Sequence, residues 1–187
     1  MEHSKDICDV QDVRLISTNK DGHCIFNIQF DINNPNYDLH KALGFKLYSL
    51  IGELNKDIID QHFIDNYDDN SVFITNGIVF KQFGKEVGLS QKYVFSKIQK
   101  IENGNIVKFI ATQIQPSSKI ILPIDSESVF NSSSTLNITL LTSHSATINY
   151  DFSMEIDEDM PSYMENIPGL LMKKMFSRLK KFLESII

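Results

Sequence analysis

The chain has 187 residues, of which 42% are hydrophobic and 22% are charged, as expected of a globular protein large enough to bury a substantial core. Its formal net charge of −6 argues against a general nucleic-acid binder, because affinity for phosphates comes from clustered Lys and Arg. Cys8 and Cys24 lack C-x-x-C spacing, which indicates no zinc site and leaves at most one disulfide open.

We expect one domain over residues 1–187, with residues 1–9 as a flexible leader. The N-terminus has no apolar segment of the kind found in signal peptides. No run reaches the ~18–20 apolar residues of a membrane span. The sequence therefore predicts a cytoplasmic or otherwise intracellular location.

A β-hairpin is predicted near the N-terminus. Residues 13–18 and 23–32 are rich in strand-forming side chains. They flank Asp21-Gly22, a dipeptide typical of tight hairpin turns.

A long helix is predicted over residues 37–63. Apolar residues recur there at intervals of three and four, which places them on one stripe of a helix. Gly44 and Gly52 lie near one face of this predicted helix, where they would allow another element to approach closely.

The second half of the chain is rich in strand-forming segments. Six runs with many β-branched and aromatic residues are separated by turn-forming residues. They cover residues 71–83, 92–101, 105–114, 119–124, 135–143 and 146–156. This spacing predicts an antiparallel sheet of about six further strands, and hence an α+β fold.

The C-terminal segment, residues 167–187, is predicted to be a long amphipathic helix packed on this sheet. Its apolar residues form one stripe: Met172, Met175, Phe176, Leu179, Phe182, Leu183 and Ile186. Five basic residues fall on the other side: Lys173, Lys174, Arg178, Lys180 and Lys181. The stripe predicts packing within the chain, whereas the basic face has the composition of a contact with an anionic membrane or a protein partner.

No catalytic signature stands out in the sequence. It contains neither G-x-S-x-G, G-x-x-x-x-G-K-[ST], G-x-G-x-x-G nor H-E-x-x-H. The histidines are scattered singly, so no metal or cofactor site is predicted. No motif supports an enzyme, although none excludes one.

One stretch, residues 83–98 ("FGKEVGLSQKYVFSKI"), resembles the helix-turn-helix of bacterial repressors. Gly88-Leu89 would form the turn and Ser90 would open the second helix. Lys97 stands where that pattern requires an apolar residue, and Tyr93 and Phe95 alternate with polar residues as in a strand.

The order of the predicted elements resembles the helix-grip fold of START lipid-transfer domains and birch-pollen-allergen-like proteins. In that superfamily a curved sheet wraps the final helix, and an apolar cavity between them holds lipids, sterols or other hydrophobic ligands. The resemblance implies ligand-binding residues on the helix and on the facing strands. They are Phe176, Leu179, Phe182 and Leu183, with Ile138, Leu140, Ile148, Tyr150 and Phe152 opposite.

These observations favour non-enzymatic binding of a hydrophobic ligand or a lipid surface between the sheet and the C-terminal helix. One alternative is a structural or assembly protein, viral matrix-like or capsid-associated, that uses the basic amphipathic helix as an interface. A second is a winged-helix DNA-binding protein that uses residues 83–98. The partners considered are a hydrophobic small molecule, an anionic lipid surface, a protein partner or a second copy of the chain, while nucleic acid is disfavoured by the charge.

Overall fold

The structure, a computed structural model, describes residues 3–10, 12–20, 23–65, 72–82, 88–155 and 164–187. The strands in these residues are β1 His3–Val10, β2 Val13–Lys20, β3 His23–Asn33, β4 Ile59–Asp65, β5 Phe73–Phe80, β6 Lys92–Asn103, β7 Ile106–Gln113, β8 Glu127–Ser128, β9 Ser133–Thr142 and β10 Ser145–Glu155. The helices are α1 Lys46–Leu54 and α2 Ile167–Ser185, and a 3-10 turn spans Leu39–Lys41.

These strands form a single sheet, in the order β1-β2-β3-β10-β9-β7-β6-β5-β4, with β8 beside β6 and off this path. Neighbours along the path pair antiparallel, whereas β8 pairs parallel with β6. α2 packs against β2, β3 and α1. The predicted α+β fold, an antiparallel sheet with a C-terminal helix packed on it, is confirmed.

The predicted hairpin is formed by β2 and β3, which pair antiparallel along their length. Its turn residues, Asp21 and Gly22, lie outside the described residues. Residues 1–9, expected as a flexible leader, instead include most of β1, whose backbone pairs with β2. β2 presents a row of backbone donors and acceptors there, which a further strand satisfies.

The helix predicted over residues 37–63 is present but shorter, since α1 ends at Leu54 and β4 starts at Ile59. Asn55 terminates it. Its Nδ2 donates to the Ile51 carbonyl at 2.8 Å, and its own carbonyl accepts from the Ile59 N–H at 2.8 Å. Most apolar residues of the stripe are nevertheless buried, among them Leu39, Leu43, Leu47 and Ile58. Burial in one core, rather than one continuous helix, therefore explains their spacing.

Five of the six predicted strand segments correspond to β5, β6, β7, β9 and β10. The segment at residues 119–124 is not a strand, and the two-residue β8 follows it instead. Pro123 has no backbone N–H to donate to a ladder. Ile121 and Ile124 are 87% and 92% exposed, and Ile120 and Leu122 are only half-buried, so no side of this apolar run is fully buried. The run lacks the alternation that marks a half-buried strand.

The helix-turn-helix considered as an alternative over residues 83–98 is wrong from Lys92 onward, because β6 begins there and pairs with β5 and β7. Residues 83–87 lie outside the described residues. Tyr93 and Phe95 have the aromatic side chains that strands favour, and sheet neighbours on both sides reinforce that preference. No recognition helix can occupy this position.

α2 lies across the sheet with its apolar stripe inward, and Met172, Met175, Phe176, Leu179 and Leu183 are buried. The Phe176 ring centroid lies 6.0 Å from that of Phe30 and 4.6 Å from that of Tyr150. Near the start of the helix, Gly169 approaches Phe26 so closely that a Cβ would overlap the ring. Only glycine allows this contact, which fixes the distance between α2 and β3.

Polar contacts also fix α2, at its C-terminal end and near its middle. At its C-terminal end, the Asn34 side chain donates from Nδ2 to the carbonyls of Leu183 at 2.7 Å and Ile186 at 2.8 Å. Near its middle, both guanidinium Nη groups of Arg178 pair with the Asp57 carboxylate. The first contact satisfies carbonyls that a helix end leaves without partners.

Candidate functional site

An apolar cavity of about 310 Å³, the outer cavity, lies beneath the N-terminal half of α2. Its wall is built mainly from Phe80, Val94, Phe152, Met154, Leu171 and Met172. Lys81, Lys92 and Glu155 also line it. Phe130 borders the cavity and is 60% exposed, so the cavity reaches the surface at this end.

A smaller pocket of about 70 Å³, the inner pocket, lies farther along α2, where Met175 and Phe176 form part of its wall. The two spaces share four lining residues: Phe80, Val94, Phe152 and Met172. They are therefore neighbouring compartments under the same helix.

Three buried polar residues line the inner pocket, and we call them the polar row: Asn76 on β5, Ser96 on β6 and Ser132 just before β9. They are 8%, 7% and 4% exposed, respectively. Asn76 and Ser96 are direct cross-strand partners. Ser96 pairs in turn with Gln113 on β7, whose Oε1 accepts from the Ser132 N–H at 2.8 Å. Strand register therefore brings together residues that are far apart in the chain.

Asn76 is held in place by His62. The His62 Nε2 lies 2.8 Å from Asn76 Oδ1 and donates to it, because an amide oxygen can only accept. The imidazole in turn lies against Gly52 of α1, where a Cβ would overlap it. The close approach predicted at Gly52 is confirmed, whereas Gly44 has no such neighbour within 4 Å.

The inner pocket has a mainly apolar wall that carries several uncharged polar groups. The Ser132 Oγ is buried and has no hydrogen-bond partner. Burial raises the pKa of Tyr150, which hydrogen-bonds Ser134, to about 12. Burial likewise raises the pKa of Tyr48 well above its usual value, so both phenols are neutral at pH 7. None of the described residues that line the pocket is an Asp, Glu, Lys or Arg.

The residues expected to bind ligand fall into two groups. Phe176, Tyr150 and Phe152 line the inner pocket, and Phe152 also lines the outer cavity. The remaining residues lie in or against the packed core: Ile138, Leu140, Ile148, Leu179 and Leu183 are buried, and Phe182 is half-buried. The cavities therefore lie nearer the start of α2 than Leu179, Phe182 and Leu183, which were expected to line the binding site.

The basic residues of α2 are mostly engaged within the chain. Lys174 and Arg178 pair with Asp57. Lys180 donates to the Asp31 carbonyl at 2.6 Å and pairs with Glu184. Their contact with a membrane or a partner remains a prediction.

Lys173 and Lys181, two of the five basic residues of α2, differ in how exposed they are to solvent. Lys173, expected on the solvent side, is only 8% exposed, and Gly169 and Phe176, which share its side of the helix, are buried as well. Lys181 is exposed. Lys181 therefore fits the predicted outward face, and Lys173 does not.

The polar row was missed by the sequence analysis, although it leaves a signal. Ser96 stands between Val94 and Ile98 at the period-two positions of β6, where an apolar residue is expected on a core-facing side. Asn76 stands likewise between Ile74 and Ile78 on β5. A polar residue at an inward position of two adjacent strands is a pattern that can be searched for.

Within the described residues, no group of three or more His, Cys, Asp or Glu side chains has an arrangement suited to a metal ion. No helix in the described part of the chain is both long and apolar enough to span a bilayer.

Comparison with protein-family models and with curated protein sequences gives no match. Comparison with solved structures does. The chain is similar to the human StarD13 (DLC2) lipid transfer and protein localization domain, with a TM-score of 0.70 and 7% identity over 100% of this chain and 91% of that one. It is also similar to a STAR-related lipid transfer protein from Xanthomonas axonopodis, with a TM-score of 0.67 and 10% identity over 97% of each chain.

Human STARD10 is a third similar structure, with a TM-score of 0.64 and 11% identity over 95% of this chain and 73% of that one. At such low identity the likeness concerns the fold rather than the residues of the site. It covers nearly the whole chain in all three comparisons. The chain therefore has the START-like helix-grip fold that the order of its elements predicted.

Proposed function

We propose that the chain binds a hydrophobic ligand of the lipid class between its sheet and the N-terminal half of α2. The observation that carries this proposal is the outer cavity. Its volume of about 310 Å³ lies at the lower end of the ~300–1,000 Å³ typical of small-molecule sites. Its mainly apolar wall would gain free energy by removing an apolar molecule from water.

The names of two similar structures support the lipid class, since one is a lipid transfer domain and the other a lipid transfer protein. The chain's own residues give the physical support. Protein cores are packed to the density of organic crystals, and a void forfeits contacts on its lining. A fold with no ligand to hold would be expected to fill this space with side chains.

The cavity also has an approach from solvent. Exposed Phe130 lies at its border, and the half-buried Ile167 and Pro168 at the start of α2 form part of its wall. A ligand entering here would contact the first turn of α2 before it reaches Met172.

A cavity-filling variant with a matched control tests the proposal. Leu171 lines the outer cavity, whereas the adjacent Leu170 is 44% exposed and does not. The chain contains no Trp, so in Leu171→Trp or Leu170→Trp the emission of the single indole reports its surroundings. We expect blue-shifted emission only for Leu171→Trp, which should occupy the cavity.

Binding is measured in two ways: native mass spectrometry of lipid retained through purification, and titration with a hydrophobic probe such as decan-1-ol. The wild type and Leu170→Trp should bind saturably, and Leu171→Trp should bind at least about tenfold more weakly. The proposal fails if the wild type binds nothing. It also fails if the two Trp variants bind equally.

We do not propose the DNA-binding alternative, because β6 occupies the position of its recognition helix. The assembly alternative has less support than ligand binding. Arg178 and Lys174, two of the basic residues it would use, already pair with Asp57.

A further inference from the structure

The polar row places hydrogen-bonding groups where the fold alone would favour apolar ones. Asn76, Ser96 and Ser132 are all more than nine-tenths buried and line the inner pocket. A buried hydroxyl or amide without a full set of partners destabilises the folded state. Three buried polar residues in one small pocket, one of them with an unpartnered hydroxyl, are better explained by a bound group than by packing.

At least one atom of the row is without a protein partner. The Ser132 backbone N–H donates to Gln113, but its Oγ accepts and donates nothing. In Asn76, Oδ1 already accepts from His62, so a contact of this side chain with a ligand would be made by the amide Nδ2 as a donor. The row thus offers both a donor and a hydroxyl that can donate or accept.

The charge of the pocket restricts what these groups can bind. No described residue in its lining is ionisable at neutral pH, and Tyr48 and Tyr150 keep their protons. The charged residues of the site, such as Lys92 and Glu155, line the outer cavity instead. An anionic or cationic group in the inner pocket would lose its hydration without gaining a counter-ion, which is strongly unfavourable.

We infer that the inner pocket binds the uncharged polar end of the ligand, a hydroxyl or carbonyl group, while the apolar body of the ligand lies in the outer cavity. This inference rests on the proposed function and assigns the ligand an orientation, with its polar end innermost. Phe152 and Met172 line both spaces, so the middle of the ligand contacts these two side chains.

The opposite orientation makes a different prediction. A ligand with its polar end at the surface would place that end near Lys81 and Lys92, which line the outer cavity. An anionic ligand would then be preferred over a neutral one, and the polar row would hold only water.

The test compares three amphiphiles that carry the same decyl chain: decan-1-ol, decanoate and decyltrimethylammonium, titrated calorimetrically at pH 8. The full chain is used as the wild type, as the double variant Ser96→Ala/Ser132→Ala, and as the control Ser153→Ala. Ser153 is a half-buried serine on β10 that lines neither cavity. Because the alcohol is also the most hydrophobic probe, the decisive quantity is how the double variant changes each affinity.

We expect the double variant to bind decan-1-ol about two- to tenfold more weakly for each hydroxyl removed, as the loss of one hydrogen bond implies. Its affinities for the two charged probes should stay within about twofold of the wild type. Ser153→Ala should change none of the three affinities. Both variants should retain the wild-type circular dichroism spectrum.

Two results would overturn the inference and leave the proposed function intact: unchanged affinity of the double variant for decan-1-ol, or wild-type binding of decanoate as tight as that of the alcohol. In either case Leu171→Trp should still weaken the binding of every probe. Absence of binding by all three probes to the wild type removes both proposals.

Discussion

Replacing Asn34 with Asp tests whether a buried side chain outside α2 holds the end of that helix. Asn34 is 1% exposed and donates from Nδ2 to the carbonyls of Leu183 and Ile186. Its Oδ1 accepts from the Asn36 N–H at 2.9 Å. Asn34→Asp keeps the size of the side chain and this acceptor, but replaces the donor with a carboxylate oxygen.

The expected loss of stability is large. Each lost hydrogen bond contributes about 0.5–1.5 kcal/mol, so the two bonds to α2 account for roughly 1–3 kcal/mol. The new charge is buried and faces the negative end of the helix dipole, which adds a further few kcal/mol. The total of about 4 kcal/mol or more is a large part of the ~5–15 kcal/mol that stabilises a typical domain.

Urea unfolding at pH 7 and pH 5, followed by far-ultraviolet circular dichroism, measures this loss. Burial and the helix carbonyls should raise the folded-state pKa of the introduced carboxyl above its unfolded value of about 3.9. The native state then binds more protons than the unfolded state, so the penalty is full above the folded pKa and declines as pH falls through it. The difference from wild type should therefore be smaller at pH 5 than at pH 7.

The matched control is Asn36→Asp, at an exposed residue of the same loop, which should change stability by less than about 0.5 kcal/mol. If Asn34→Asp were as stable as this control at pH 7, Asn34 would not be holding α2. A difference from wild type that grew on acidification would contradict the electrostatic part of the reasoning.

Three further predictions concern the core, an ion pair and the polar row. Leu179 is 2% exposed, so Leu179→Ala should lower the free energy of unfolding in urea by about 2–5 kcal/mol, and Leu179→Asp should unfold the domain. The control Lys181→Ala should change stability by less than about 0.5 kcal/mol. Arg178 holds the pKa of the Asp57 carboxyl well below its usual range. The pair therefore stabilises the fold fully at pH values above the unfolded pKa of about 3.9. This stabilisation is lost as the pH falls toward the folded-state pKa. Calorimetry should then show a lower Tm for Asp57→Asn at pH 7 and a difference that shrinks in acid, and a constant difference would refute the assignment. Because the Ser132 Oγ has no partner, Ser132→Ala without ligand should be as stable as wild type or more stable by up to ~2 kcal/mol, and a loss above 1 kcal/mol would show that the hydroxyl is structural.

The fold could be predicted where the signal is local. The alternation in β3 and the three-and-four spacing in α2 each identify an element and its inward face from neighbouring residues alone. The errors arose where a local pattern has two explanations. Apolar spacing across residues 37–63 suits one helix, yet a helix, a turn and a strand bury the same residues in the structure.

The candidate site could be predicted only in part. The helix-grip resemblance pointed to α2, β9 and β10, and Tyr150, Phe152 and Phe176 do line a cavity. It also suggested Leu179 and Leu183, which are buried in the packed core instead. A stripe of apolar residues does not reveal which of its members face solid packing and which face a void, because that depends on side chains from distant strands.

The sequence by itself determined the kinds of elements, their order, and the burial of the apolar side of α2, because hydrophobic periodicity is a property of neighbouring residues. The tertiary structure decided where the space beneath α2 stays empty and what lines it. Asn76, Ser96 and Ser132 come from different segments, and strand register brings them together. Register is set by long-range pairing across the sheet, so no local stretch of the chain contains that information.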